Sequence, residues 1–255
     1  DFIQCKSPDR NIRGFFIGDN NMHYNIMTKT IAFDADDTLW ENERFFREAE
    51  NEFCRIMMRF GKEEDLSSCL FSVETDNMPL YGYGIKAFTL SMIEAAGKIA
   101  GRMLTQDDTH AIINIGKSLL QRPVKLYEGV RETLDRLASG HKLVLATKGD
   151  LLDQRRKLEK SGLGKYFSHV EIMPAKTTAD YTHLLEKLDI KPCEFTMVGN
   201  SVKSDIMPVV ELGGYAVHIP AEYTWQHEVP EECFSHPKVR TVNSFRELLC
   251  RDSGL

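Results

Sequence analysis

Four short stretches of this chain carry side chains suited to phosphoryl transfer. Asp34-Ala35-Asp36-Asp37-Thr38 places carboxylates two residues apart. Thr147-Lys148-Gly149-Asp150, then Lys176, then Gly199-Asn200-Ser201 with Asp205 supply two hydroxyls, two ammonium groups, an amide and two further carboxylates. A carboxylate can attack phosphorus and form an acyl phosphate, splitting one hard displacement into two easier ones. A second carboxylate two residues on can protonate the leaving alcohol and later activate water. A hydroxyl and an ammonium can hold the equatorial oxygens over which transition-state charge spreads. Oxygen ligands of this kind suit Mg²⁺, which neutralises carboxylate and phosphate together.

These residues do chemistry only if something brings them together. The run from Lys29 to Phe33 is short, apolar and β-rich, and it ends at the acidic cluster. From Tyr127 onward helical and strand patterns alternate, with strands expected at 142–146, 169–173, 195–198 and 215–219. The intervening helices are expected at 129–138, 151–161, 179–188 and 205–212, with a last one at 244–250. Such alternation specifies a parallel sheet with helices on both faces, a Rossmann-like α/β core. Open parallel sheets bind ligands beyond the carboxyl ends of their strands. All four chemistry-bearing stretches follow a predicted strand.

Between the first strand and Tyr127 the pattern is helical only, with helices expected at 41–60, 85–100 and 105–120. Phe45, Phe46, Phe53, Met57 and Phe60 fall on one broad face. The turn Tyr81-Gly82-Tyr83-Gly84 separates two of these helices. The expected organisation is therefore a core of residues 27–39 and 123–255 with a helical cap of residues 40–122. Residues 1–26 lack periodicity and are expected to be a disordered N-terminal extension, with Met27 or Met22 as the true start.

Bulk properties narrow the classes. The 255 residues are 42% hydrophobic and 27% charged, with 32 basic against 38 acidic side chains and a net charge of −6. That balance argues against a nucleic-acid partner held by phosphate neutralisation. No apolar run approaches the roughly 20 residues of a membrane span. The six cysteines form no C-x-x-C pair and read as free thiols, so the cytoplasm is the expected location. A homodimer is the assembly expected if the chain self-associates.

Taken in order, D-x-D-x-T after the first strand, Thr147, Lys176 and the Gly199-Asn200-Ser201 turn with Asp205 resemble the four motifs of the haloacid dehalogenase superfamily. The helical insert resembles its C1-type cap. The resemblance covers essentially Thr28 to Leu255. It implies a Mg²⁺-dependent phosphatase acting on a small phosphorylated metabolite: a sugar phosphate, phosphoglycolate or a nucleoside monophosphate. Asp34 is then the nucleophile and a metal ligand, and Asp36 the general acid/base with its carbonyl on the metal. Thr147 and Lys176 bind the phosphoryl group, and Asn200 and Asp205 complete the metal shell. Thr38 steadies the loop.

Two positions depart from that pattern. Asn200 stands where the phosphatases usually carry Asp, so metal affinity is expected to drop. Lys148 stands where many relatives have a small polar residue, and would add a cation toward the phosphate. Tyr81, Tyr83 and Lys86 are candidate substrate contacts from the cap, although aromatics beside a glycine turn more often pack or hinge. Trp225 and His227 are expected to be structural. One rival reading is a 2-haloacid dehalogenase, against which Asp36 argues because a halide needs no proton. The other is a non-catalytic binding protein on the same fold.

Overall fold

Strands buried on both faces read as continuous apolar runs, and the central strands here are of that kind. In the computed structural model, which describes residues 29–229 and 234–249, β1 (Thr30–Phe33) and β4 (Phe195–Gly199) are buried along their whole length. With β2 (Lys142–Lys148), β3 (His169–Met173), β5 (Tyr215–His218) and β6 (Val239–Thr241) they form one sheet of order β3-β2-β1-β4-β5-β6. Every pairing is parallel. The Rossmann-like core expected from the alternation is therefore present. β6 was not expected: three residues at the sheet edge, Val-Arg-Thr, leave too short a pattern to read.

Four helices follow β1 as an insert: α1 (Glu43–Met57), α2 (Glu63–Tyr81), α3 (Ile85–Ala100) and α4 (Gln106–Gln121). α5 (Val130–Ala138) leads into β2, and α6 (Leu151–Ser161), α7 (Thr178–Leu188) and α8 (Met207–Glu211) connect the later strands. Strand side chains alternate between faces. Ile31, Phe33, Leu143, Leu145 and Val198 pack with Val130, Leu134 and Leu137 of α5. Ala32, Val144, Ala146 and Met197 belong to the opposite layer with Tyr181 and Leu184 of α7 and Val209 of α8. The four inserted helices close over a core of their own, centred on Phe53, Met57, Leu70, Phe88, Met92 and Ile112.

The structure differs from the sequence expectation at three places besides β6. α2 fills a stretch left unassigned; its buried Leu66, Leu70 and Val73 share the helix with exposed Leu80 and with Pro79, which blurs the apolar stripe. The helix expected over 205–212 opens with a wide π-type turn, Val202–Ile206, before α8. The last helix is a short 3₁₀ segment, Phe245–Leu249. The expectation for residues 1–26 lies outside the described residues.

One loop ties core and insert together. Asp37 adopts a left-handed backbone (φ 59°), which Asp tolerates better than most residues. From there its carboxylate accepts the Asn42 N–H at 2.9 Å and the Glu43 N–H at 2.9 and 3.0 Å. It thereby caps the start of α1, where Asn42 itself makes no side-chain cap.

Candidate active site

In this sheet the chain runs from β1 outward to β2 and β3, then returns to the other side of β1 for β4. A crevice opens where the order reverses, and Asp34 stands at its mouth. Its backbone N–H donates to the Val198 carbonyl at 2.9 Å, so the nucleophile candidate is locked to the end of β4. Asp34 is 6% exposed. Burial pushes its carboxyl up to about 7, against the pull of Lys176.

Lys176, in the loop after β3, donates to Asp34 Oδ1 and to Asp205 Oδ1, the latter at 2.6 Å. All three side chains are buried. Burial pulls the Lys176 ammonium down, but Asp205 and Asp34 together hold it above the ordinary lysine range. Lys176 is thus a fixed cation between two carboxylates. Asp205 Oδ2 accepts the Ser201 N–H at 2.9 Å. Thr147, 1% exposed at the end of β2, borders the same cavity.

The Asp34 Oδ2 side is different. Thr38 Oγ1 donates to it at 2.9 Å and accepts the Asn200 N–H at 3.1 Å. The terminal atom of the Asn200 amide on this side lies 3.3 Å from both Asp34 Oδ2 and the Asp36 carbonyl oxygen. An amide nitrogen there satisfies both acceptors; an amide oxygen there makes three oxygens around one point, which is stable only about a cation. Oxygens around an octahedral Mg²⁺ stand about 3 Å apart, so the spacing fits. Asp34, the Asp36 carbonyl and Asn200 are the residues that could hold it. Asp205 faces Lys176 instead. Among the described residues no three His, Cys, Asp or Glu side chains gather as a metal cluster.

The Asp36 side chain turns away from that cluster. Lys157 of α6 contacts both its oxygens, at 3.0 and 2.9 Å; Gln154 Nε2 donates at 2.8 Å and Trp40 Nε1 at 2.6 Å. Lys157 also donates to Asn42 Oδ1 at 2.8 Å. Although burial pulls Lys157 down, Asp36 and Asp153 hold it above the ordinary lysine range. None of Trp40, Gln154 or Lys157 was singled out from sequence. Gln154 and Lys157 are three apart on α6 and so share one face, a signal available once α6 is known to start at the Thr147 strand end.

Lys148 belongs to a separate network. Its ammonium pairs with Glu228, donates to Ser204 Oγ at 3.1 Å, and stands 4.7 Å from the Tyr83 ring centroid. Ser201 and Ser204 hydroxyls also donate to Glu228. Tyr83 packs edge-on to Trp225, and His227 stacks on Phe71 of α2 with centroids 4.5 Å apart. The loop after β5 therefore bridges core and insert. Tyr83 and Trp225 border the cavity. Tyr81 does not and is 48% exposed, and Lys86 pairs with Asp150 at 2.8 Å outside it.

These groups surround one cavity of about 140 Å³ between the strand ends and the insert, room for a small metabolite. A buried carboxylate at the switch point, with a fixed ammonium on one of its oxygens and the Asn200 amide and Asp36 carbonyl beside the other, is an arrangement suited to displacement on an anionic group.

Comparison with known proteins agrees with that class. A family model described as haloacid dehalogenase-like hydrolase matches residues 28–213. The chain belongs to this family and is a hydrolase. A protein of Methanocaldococcus jannaschii named glyceraldehyde 3-phosphate phosphatase is 30% identical, covering 88% of this chain and 96% of the relative. A protein of the same name from Methanothermobacter thermautotrophicus is 25% identical over 78% of this chain and 88% of its own. Among solved structures, a haloacid dehalogenase-like family hydrolase from Xanthomonas campestris superposes with a TM-score of 0.79 at 34% identity, covering 87% of this chain and 88% of that one. Among the described residues no helix is long and apolar enough to cross a membrane.

Proposed function

We propose that this hydrolase is a Mg²⁺-dependent phosphatase of small phosphomonoesters, working through a phospho-aspartyl intermediate on Asp34, with the inserted helices as its cap. The observation that carries the reading is the Asp34 carboxylate, held by Lys176 on one oxygen and facing Asn200 and the Asp36 carbonyl with the other. The names of the two archaeal relatives support a sugar-phosphate substrate.

An Asp34 oxygen attacks phosphorus as the bond to the leaving alcohol breaks, and Asp36 gives that alcohol its proton. Asp36 then takes a proton from water, whose oxygen displaces Asp34 from phosphorus, releasing inorganic phosphate and restoring the carboxylate. Lys176, Thr147 and the backbone N–H groups of the loop after β1 hold the phosphoryl oxygens. Asp34, the Asp36 carbonyl and Asn200 would hold Mg²⁺, which when bound would neutralise charge between nucleophile and phosphate. The insert keeps bulk water from the cavity while the acyl phosphate exists. To exchange protons, Asp36 must let go of at least one of Lys157, Gln154 and Trp40.

The test is hydrolysis of p-nitrophenyl phosphate with and without Mg²⁺, for the wild type and Asp34→Asn. Metal-dependent turnover lost in the variant supports the reading. Turnover that survives the substitution sinks it.

A further inference from the structure

The wall of the cavity opposite Asp34 is built by the insert. It brings Glu43, Phe46, Glu74, Asn77, Met78 and Tyr83 to the lining, and among the described residues it brings no lysine, arginine or histidine. Over the whole lining eight carboxylates face three ammonium groups. Each ammonium is already engaged: Lys176 by Asp34 and Asp205, Lys157 by Asp36, Lys148 by Glu228. No positive charge is left over for a second anionic group on a substrate.

The polar groups of this wall are neutral hydrogen-bonding groups: the Tyr83 and Ser91 hydroxyls, the Asn77 amide and the Glu74 carboxyl. Glu74 lines the cavity with neither a hydrogen bond nor an ion pair among the described residues. Asn77, 7% exposed, spends its amide N–H groups on Ser91 at 3.2 Å and Glu94 at 2.9 Å, leaving its oxygen free. Neutral groups that both accept and donate are matched by a ligand that brings hydroxyl groups. Phe46, Met78 and Phe88 supply apolar surface beside them.

We propose that the insert selects phosphomonoesters whose leaving group is a small, uncharged, hydroxylated molecule, and rejects leaving groups that carry a carboxylate or a second phosphate. The inference rests on the phosphatase reading and narrows it: neutral sugar and triol phosphates fit, phosphoglycolate does not. Burial holds the Glu43 and Glu74 carboxyls toward their neutral forms, so negative charge is poorly stabilised beside this wall, and an anionic leaving group would be desolvated there with no free cation to meet it.

The test compares kcat/KM for glycerol 3-phosphate and 3-phosphoglycerate, which differ by a hydroxymethyl group against a carboxylate, with Mg²⁺ present. The wild type is expected to prefer glycerol 3-phosphate by about tenfold or more. Glu74→Lys, which puts a cation on this wall, narrows the ratio or inverts it, whereas Glu74→Gln, neutral like the protonated acid, moves it little. The two variants differ in fold risk, since glutamine keeps the size of the side chain. Equal use of the two substrates by the wild type overturns the inference, as does a ratio unmoved in a folded Glu74→Lys variant. Absence of p-nitrophenyl phosphate turnover in the wild type is a separate result, and it overturns the phosphatase reading itself.

Discussion

The Asp205 carboxylate lies against the backbone of Gly199, in the space a side chain at that position would fill. A Cβ built on Gly199 would stand 2.5 Å from the Asp205 Cβ and closer still to the carboxylate. Gly199 is thus required for contact rather than for backbone freedom: it lets the end of β4 and the turn after it close around Asp205, which in turn holds Lys176 at Asp34.

Gly199→Ala must therefore push Asp205 outward and carry Lys176 with it. We expect a stability loss of about 1–3 kcal/mol from overpacking and a fall in kcat of about a hundredfold from the misplaced ammonium. Urea denaturation and steady-state kinetics on the same preparation check both. A variant that loses stability but keeps kcat would detach Asp205 from the work of Lys176.

Lys157 is a positioning residue for Asp36. Its ammonium contacts both carboxylate oxygens, and Lys157→Met leaves the acid/base group tethered only by Gln154 and Trp40. The defect should follow the leaving group. With an alkyl phosphate, which needs its proton, kcat/KM should fall about a hundredfold. With p-nitrophenyl phosphate, whose leaving group departs without help, the fall should be about tenfold or less. Equal losses on both substrates would mean that Lys157 serves only the fold. Lys157→Arg should recover part of the alkyl-phosphate rate.

Asn200→Asp adds a charge to the oxygen cluster beside Asp34 Oδ2. The Mg²⁺ concentration for half-maximal activity should drop by about tenfold. In the metal-free protein the same change sets three acceptor oxygens together without a proton between them, so thermal stability without Mg²⁺ should fall and be recovered on adding it. An unchanged metal requirement would remove Asn200 from the metal shell.

Buried carboxylates of the insert make stability depend on pH in a defined direction. Burial, then the charge of Asp37, pushes the Glu43 carboxyl up from 4.5 to about 8. The folded protein therefore keeps a proton that the unfolded chain releases near pH 4.5. Stability is full below that pH and is lost as pH rises toward 8, by about 2–4 kcal/mol for this residue. Glu43→Gln should flatten the decline between pH 4.5 and 8, leaving the variant more stable than the wild type at the alkaline end. Denaturation midpoints across the range measure it, and identical pH slopes for the two proteins would contradict it.

How much of this is legible in the chain follows from where the signals lie. Asp34, Thr147, Lys176 and Asn200 each follow a strand that an apolar run announces, and parallel sheets gather their ligands at those ends. The rule needs only strand order, so these residues converge in the structure as expected. Asp37 shows its limit. An acidic residue before a helix can also cap it, and Asp37 is the member of the cluster that caps α1. Lys157, Gln154 and Trp40 carry no motif; they reach Asp36 through tertiary packing of α6 against the loop after β1. Lys148 was expected to face the phosphate, but nothing in its neighbours along the chain reveals Glu228, which arrives from a loop 80 residues later. α2 was missed because its apolar stripe is interrupted, although its first turn is acidic at Glu63, Glu64 and Asp65.

The central claim is that Asp34 carries the phosphoryl group, and trapping it is the most direct measurement. Enzyme mixed with excess p-nitrophenyl phosphate and Mg²⁺ is quenched in acid, reduced with borohydride, digested and sequenced by mass spectrometry. The account predicts reduction of the acyl phosphate at position 34, giving homoserine there and nowhere else, and none in enzyme treated without substrate. Steady turnover with position 34 left as unmodified aspartate, or with the label on another carboxylate, would contradict it.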